Sequence, residues 1–182
     1  MNLLLEAKGL ALVRGGRLLF EALELALEQG EALHVIGPNG SGKSSLIRSI
    51  AGLLRPSAGR IERVEAALAD EGLALDHELP LRRALAFWRG PRLVEAMAAF
   101  DLDRLADVPV RLLSTGQAKR ARLVRVMASG APLWLLDEPL NGLDHDGRER
   151  LALAVADHRA NGGAVVAASH GALDGEWREL AL

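Results

Sequence analysis

The stretch Gly37-Pro38-Asn39-Gly40-Ser41-Gly42-Lys43-Ser44 decides the fold. It follows a mostly apolar run, Ala32–Ile36, that predicts a buried strand, and it precedes residues 45–51, whose apolar side chains recur at helical spacing. In this strand–loop–helix context the glycines let backbone N–H groups approach phosphate oxygens, and the Lys43 ammonium adds a charge for the outer phosphates. The Ser44 hydroxyl is a suitable Mg²⁺ ligand. The sequence therefore predicts a loop that binds nucleotide phosphates and extends to Ser45.

The composition excludes several classes of function. The chain has 182 residues, a formal net charge of -2 and no cysteine. This length suits one domain with a hydrophobic core, and the slightly acidic balance argues against a nucleic-acid partner, which favours a basic surface. Without cysteine there are no disulfides, zinc–thiolate sites or thiol nucleophiles. We find no basic leader and no apolar run of about 20 residues, so neither a signal peptide nor a membrane span is expected.

The first seventy residues predict antiparallel strands around the phosphate-binding loop. Alternating apolar side chains mark the expected strands, which cover residues 3–7, 10–13 and 23–27. Turns are expected at Gly15-Gly16, at Gln29-Gly30 and over residues 56–59, and short strand-like runs continue to residue 69.

The second half of the chain alternates helices with short apolar runs, which is typical of a parallel sheet in an α/β fold. The apolar runs are residues 133–136 and 164–168, and helical spacing covers residues 80–105, 114–128 and 144–161. We predict one domain over residues 1–182, with a mixed sheet core from residues 1–70 and 129–182 and a helical subdomain from residues 72–128.

Asp137 and Glu138 narrow the expected chemistry. They end an apolar strand, where Asp137 is placed to reach a Mg²⁺ ion coordinated by the nucleotide. A second carboxylate at Glu138 is suited to orient or deprotonate an attacking water, which indicates hydrolysis. A solvated acidic pair at a strand end is the alternative, and the upstream phosphate-binding loop favours the functional interpretation.

Ser114, Thr115, Gly116 and Gln117 form a polar turn that opens a helix. The free N–H groups and the dipole at such a helix N-terminus favour an anion. Ser114 is equally suited to cap the helix without any ligand, so this turn is a weak signal by itself.

The order of these motifs resembles the ATP-binding subunits of ABC transporters, over nearly the whole chain. The resemblance implies an α/β P-loop NTPase fold and a head-to-tail dimer, in which the Ser114–Gln117 turn of one chain closes over the ATP held by Lys43 of the other. It further implies that Glu138 is the catalytic base, that Asp144 links the two sites and that His170 contacts the terminal phosphate. ATP and Mg²⁺ would be the cofactors, with Ser44 and Asp137 as metal ligands.

Three positions depart from the family pattern. The glutamine usual between the phosphate-binding loop and the signature turn is absent, and Glu71 is the nearest stand-in as a Mg²⁺ ligand. No tyrosine or tryptophan precedes the loop to stack on adenine, which leaves Val13 or Arg14 to cover the base and predicts modest base selectivity. Thr115 replaces the usual glycine of the signature turn, which is tolerable if that position does not need a positive φ.

Finer details resemble one branch of the family, the cytochrome c maturation (haem exporter) ATP-binding subunits. The similar stretches are residues 107–114, 133–139 and 162–166, and little of the chain follows His170. This resemblance implies a peripheral protein on the cytoplasmic face of the bacterial inner membrane, partnered by integral membrane subunits of the maturation system. Haem would be the cargo of that complex, because the scattered histidines and the absence of cysteine provide no haem-attachment motif in this chain.

Several alternatives stay open at this stage. The alternatives are a different small ABC exporter, a soluble ABC-type ATPase without a transport role, and a small-molecule kinase, which would leave Ser114 and Glu138 unexplained. A scaffold that binds ATP without hydrolysing it would fit the missing glutamine and aromatic residue. Phe87 and Trp88 are either core residues or part of a docking surface.

Overall fold

The computed structural model describes residues 2–70, 75–88 and 90–182, so the predicted ligand Glu71 lies outside the described residues. Eight strands are found within these ranges: β1 (Leu3–Arg14), β2 (Arg17–Glu28), β3 (Ala32–Ile36), β4 (Ala58–Arg63), β5 (Ala66–Ala69), β6 (Leu133–Asp137), β7 (Ala164–Ala168) and β8 (Arg178–Ala181). The α-helices are α1 (Lys43–Ala51), α2 (Leu81–Ala86), α3 (Leu93–Ala99), α4 (Thr115–Ser129) and α5 (His145–Ala160), with short 3₁₀ turns at Asp103–Leu105 and Val110–Leu112.

A parallel sheet in the order β5-β6-β7-β3-β8 forms the centre of the molecule. All residues of β6 and β7 are buried, because α-helices or the second sheet cover both faces of these strands. Their side chains alternate between two cores: Leu133 and Leu135 face one core, and Trp134 and Leu136 face the other. The apolar runs thus form the buried parallel strands that the sequence predicted.

An antiparallel sheet in the order β2-β1-β4 packs beside the parallel sheet, with the predicted turns at Gly15-Gly16 and Gln29-Gly30. The prediction of two separate strands at residues 3–7 and 10–13 is wrong. β1 is continuous, because a register shift between Ala7 and Leu10 absorbs the extra residues as a bulge. The predicted turn over residues 56–59 is also corrected, because Ala58 and Gly59 already belong to β4.

The strand β8 was not predicted. It pairs in parallel with β3 at the edge of the central sheet, with Val35 opposite Leu180. Its sequence, Arg178-Glu179-Leu180-Ala181, is short, half charged and mostly exposed, so it lacks the apolar run that marks the inner strands. Pairing with β3 creates this strand.

The helices follow the predicted spacing with one interruption. α1 ends at Gly52 in the left-handed conformation, as expected, and Asp144 caps α5 through the Gly147 N–H at 2.8 Å. The helical spacing over residues 80–105 resolves into α2, α3 and a 3₁₀ turn, and none of the described helices is long and apolar enough to cross a membrane. Phe100 is buried, whereas Phe87 is 76% exposed and Trp88 is 42% exposed, so the last two are not core residues.

The contact between β4 and the bulge of β1 permits a stability prediction. Gly59 has φ +85°, and a Cβ atom there would lie 2.5 Å from the carbonyl oxygens of both Lys8 and Gly9. We expect Gly59→Ala to lower the free energy of unfolding by roughly 2–5 kcal/mol, through the left-handed conformation and the backbone displacement together. Urea denaturation measures this loss.

Gly16→Ala is the matched control, because Gly16 has φ +76° but nothing within 4 Å of an added Cβ. Its loss should be limited to the conformational cost of about 1–2 kcal/mol. Equal losses in the two variants would contradict the close approach of β4 to the bulge.

Candidate active site

The phosphate-binding loop, the acidic pair and His170 meet at the carboxyl ends of three adjacent parallel strands, β6, β7 and β3. The phosphate-binding loop follows β3, the acidic pair ends β6 and His170 follows β7, so the strand order brings together residues that are far apart in the sequence. A cleft of about 650 Å³ opens there. Its lining residues are Arg14, Leu19, Asn39, Gly40, Gly42, Lys43, Ser44, Ser45, Arg48, Asp137, Glu138, Asn141 and His170.

The loop wraps around the Lys43 side chain. Gly42 takes a left-handed conformation with φ 115° as it enters α1, which explains why glycine suits this position. The buried Lys43 ammonium donates to the carbonyl oxygens of Gly37 at 2.8 Å and of Pro38 at 3.3 Å. The Ser41 N–H donates to the Pro38 carbonyl at 3.2 Å, which closes a turn inside the loop.

Ser44 and Asp137 form an oxygen pair at the floor of the cleft. The Ser44 hydroxyl donates to Asp137 Oδ1 at 2.8 Å. Burial raises the pKa of Asp137, and the Ser44 hydrogen bond and the Arg48 charge partly offset this rise. A hydroxyl and a carboxylate are ligands that Mg²⁺ accepts, so these two residues fit the metal expected beside a nucleotide. No cluster of three or more histidine or acidic side chains suited to a metal occurs in the described part of the chain.

Glu138 stands beside His170 in a strained backbone conformation. Its φ of 48° is unusual for a residue with a side chain. Glu138 Oε1 lies 3.4 Å from His170 Nε2, which is itself 3.3 Å from Lys43 Nζ. The Nε2 atom donates to Glu138 when it carries a proton and accepts from Lys43 when it does not, so the tautomer selects between these contacts.

Residues that sequence reasoning missed support this arrangement. The Glu138 carbonyl accepts from the buried Lys119 ammonium at 3.1 Å, and His34 Nε2 lies 3.2 Å from the carbonyl of Ser169, the residue before His170. Asn141 lines the cleft beside Glu138. The sequence pattern indicated that Lys119 lies on a helix and His34 on a strand. It did not indicate that these side chains contact the backbone beside Glu138 and His170.

The Ser114–Gln117 turn caps α4 and lies outside the cleft of its own chain. The Gln117 N–H donates to Ser114 Oγ at 3.2 Å, and the Ser114 N–H donates to the Gln117 side chain at 2.9 Å. Within one chain, Ser114 therefore acts as a helix cap, the alternative to an anion site that the sequence left open. A Cβ at Gly116 would be 3.7 Å from an Asp144 carboxylate oxygen, so the turn and Asp144 are neighbours. None of the described cleft-lining residues comes from Thr115 or the rest of this turn.

Residues of the β1–β2 hairpin also line the cleft. Arg14 Nη1 donates to Ser45 Oγ at 3.3 Å, and Leu19 also lines the cleft. Val13 is half exposed at the same hairpin and does not line it. Of the two residues expected to cover the base, the geometry favours Arg14.

Asp70, the residue before the predicted ligand Glu71, is the acidic residue that the structure describes at the end of β5. Its carboxylate lies 3.8 Å from the guanidinium of Arg48, which lines the cleft. The Asp70 charge also acts to raise the pKa of Asp137. The ion pair of Arg48 and Asp70 therefore lies beside the Ser44 and Asp137 oxygens.

Comparison with known proteins agrees with this geometry. The ABC transporter family matches residues 20–141. The cytochrome c biogenesis ATP-binding export protein CcmA of Sphingopyxis alaskensis is 60% identical over 180 residues, which cover 95% of this chain and 93% of that protein. The protein of the same name from Zymomonas mobilis is 48% identical, covering 100% of this chain and 85% of its own length.

Solved structures show the same fold. The ATP-binding subunit of an ABC transporter superposes with a TM-score of 0.81 at 27% identity, covering 92% of this chain and 79% of that one. An ATP-binding cassette of another ABC transporter gives a TM-score of 0.83 at 18% identity, over 94% of this chain and 83% of that one, which supports the fold alone.

These matches confirm the predicted family, the predicted α/β P-loop NTPase fold and the role of an ATP-binding subunit that works with a membrane transporter. ATP hydrolysis coupled to transport is the activity of this class of protein. The chain therefore belongs to the ABC transporter family of ATP-binding subunits, in the branch of the cytochrome c biogenesis ATP-binding export proteins.

Proposed function

We propose that this chain binds Mg-ATP in the described cleft and hydrolyses it to drive haem export for cytochrome c maturation. The observation that supports this most strongly is the convergence of Lys43, Ser44, Asp137, Glu138 and His170 on one cleft at the ends of β3, β6 and β7. Each of these side chains is suited to phosphate binding, to Mg²⁺ coordination or to activation of water.

In the proposed reaction Glu138 takes a proton from the attacking water. The water oxygen bonds to the terminal phosphorus as the bond to the bridging oxygen breaks, which yields ADP and phosphate. Lys43 and the loop amides of residues 37–45 stabilise the charge on the phosphate oxygens. His170, next to both Glu138 and Lys43, orients a terminal phosphate oxygen. Mg²⁺, held by Ser44 and Asp137, supplies further charge neutralisation when bound.

The proposed assembly is a head-to-tail dimer of this chain. The Ser114–Gln117 turn lies outside its own cleft, at the N-terminus of a helix of 15 residues, so it is available to close over nucleotide in a partner copy. Asp144 borders this turn and is placed to link the two sites. Thr115, the first residue of α4, does not have a positive φ, which removes the objection to a bulkier side chain there.

A surface on the helical subdomain is proposed to contact the integral membrane subunits. A cleft of about 440 Å³ separates this subdomain from the sheet core and is lined by Leu53, Leu68, Trp88 and Arg125, among others. Leu53 is 68% exposed, and the Arg125 guanidinium lies 4.6 Å from the centre of the Trp88 ring. Exposed apolar side chains beside such a cleft mark a protein interface. The proposed location of the chain is therefore peripheral, on the cytoplasmic face of the bacterial inner membrane.

Gene deletion and complementation test the export role. Covalent haem in c-type cytochromes should be lost on deletion and should return with the wild-type gene but not with Glu138→Gln. Haem staining of membrane proteins after gel electrophoresis measures this result. Normal staining in the deletion strain would remove the haem assignment and leave the ATPase assignment standing. A scaffold that binds ATP without hydrolysis predicts instead that Glu138→Gln complements fully.

A further inference from the structure

Lys119 is a buried cation that the mechanism above does not use. It lies in the second turn of α4 and is only 7% exposed, whereas lysine is seldom fully buried unless it is paired. Its ammonium donates to the backbone carbonyl of Glu138 at 3.1 Å. A charge taken out of water needs strong acceptors, and this contact supplies one at the residue proposed as the catalytic base.

The backbone of Glu138 needs such support. A left-handed φ of 48° at a residue with a side chain is strained and persists only where neighbouring contacts hold it. The Glu138 N–H donates to the Ala168 carbonyl at 2.8 Å, and the Glu138 carbonyl accepts from the Asn141 N–H at 3.2 Å as well as from Lys119. Of the contacts described, only the one from Lys119 connects Glu138 to α4.

We propose that Lys119 is a positioning residue that holds the Glu138 carboxylate in its catalytic orientation and connects it to the Ser114 turn. This inference rests on the proposed function, because it gives Glu138 the role of catalytic base. Lys119 does not line the cleft. It acts through the Glu138 backbone, and loss of its hydrogen bond lets φ relax and swings the carboxylate away from His170.

The contact between Lys119 and Glu138 also connects the Ser114 turn to the proposed catalytic base within one chain. Ser114 and Lys119 are five residues apart on one helix, about 7.5 Å along its axis at 1.5 Å per residue. A helix of this length moves as a unit, so a displacement of the Ser114 turn by a partner's nucleotide is passed to the Glu138 carbonyl. Lys119 thereby makes hydrolysis in one cleft sensitive to closure of the other.

Two substitutions distinguish the effect of the Lys119 charge and its hydrogen bond from the effect of side-chain packing. Lys119→Met keeps the length of the side chain and removes its donors, whereas Lys119→Arg retains a cationic donor. We expect Lys119→Met to lower kcat on the order of 10- to 100-fold, the usual effect of misplacing a catalytic group by about 1 Å, with KM for ATP within about twofold of wild type. Lys119→Arg should restore most of the rate. If the Met variant does not fold, Lys119→Leu, which likewise has no donor, takes its place.

The control is Lys8→Met, the same change at a lysine that pairs with Glu6 on the surface of β1. Turnover is measured as phosphate release by the assembled transporter complex. Hydrogen exchange of the segment 137–143 provides a second readout that does not depend on activity. Exchange of the Asn141 amide should be faster in Lys119→Met than in wild type or in Lys8→Met.

The outcomes distinguish this inference from the proposed function. An unchanged kcat in folded Lys119→Met would overturn the positioning role, as would equal losses of kcat and ATP affinity. If wild type itself turns over no faster than Glu138→Gln, the proposed hydrolysis fails, and the hydrogen-exchange readout then decides whether Lys119 holds the Glu138 backbone. Unchanged exchange would overturn the inference in that case too.

Discussion

Glu138→Gln should reduce ATP turnover by at least about 100-fold, because loss of a general base costs 10²- to 10⁴-fold in typical enzymes. Glutamine keeps the size of the side chain and its contact distance to His170, which is 3.4 Å from Glu138 Oε1 in the wild type. It removes the group that accepts the proton from water. Nucleotide binding should persist, because Lys43, Ser44 and Asp137 are untouched. Phosphate release by the complex measures the effect.

Removal of the base should also trap the closed dimer. With ATP bound and hydrolysis blocked, the Ser114 turn of each chain is expected to stay closed over the partner's nucleotide. Size-exclusion chromatography of Glu138→Gln should therefore show a dimer with ATP and a monomer without it. Glu95→Gln, at an exposed glutamate that pairs with Arg92 on α3, is the control and should turn over ATP like wild type. A Glu138→Gln protein that remains monomeric at saturating ATP would count against the head-to-tail arrangement.

Lys43→Ala should weaken nucleotide binding on the order of 100-fold, since a hydrogen bond to a charged group is worth about 1.5–3 kcal/mol and each 1.4 kcal/mol is tenfold. The lysine ammonium also holds the loop through the carbonyls of Gly37 and Pro38, so the variant loses both the charge and the shape of the cradle. Titration with a fluorescent ATP analogue measures the affinity, and denaturant unfolding checks that the protein remains folded.

Lys8→Ala is the matched control for this loss, because Lys8 contributes the same charge to the molecule from an exposed position on β1. Its affinity for the analogue should equal that of wild type, since long-range charge at an exposed site is screened by salt. If Lys43→Ala bound the analogue as tightly as Lys8→Ala, the cleft at the carboxyl ends of β3, β6 and β7 would not be the phosphate site.

The motifs of the site were readable because each depends on local chemistry. The glycine loop, Lys43 and Ser44 need only a strand before them and a helix after them, and Asp137 and Glu138 need only a buried strand to precede them. Hydrophobic runs short enough for strands and bounded by glycine or proline mark β3, β6 and β7. These local patterns predicted which side chains meet, because parallel strands place their carboxyl ends at one edge.

Other features arise from pairing between distant segments. The bulge that makes β1 continuous depends on its partners β2 and β4, and β8 exists because β3 offers an open edge. No local pattern distinguishes Lys119 from a solvated helical lysine. Its burial and its contact with Glu138 follow from the packing of α4 against the sheet.

By itself, the sequence predicted the chemistry of the site: a loop suited to bind phosphate, a serine and an aspartate suited to hold Mg²⁺, and a glutamate suited to activate water. The tertiary structure alone decided the backbone conformation of Glu138, with φ 48°, and the buried cation that supports it. The physical reason is that residue type and spacing encode what a side chain can do. The strain of a backbone and the partner of a buried charge are set only when distant elements pack together.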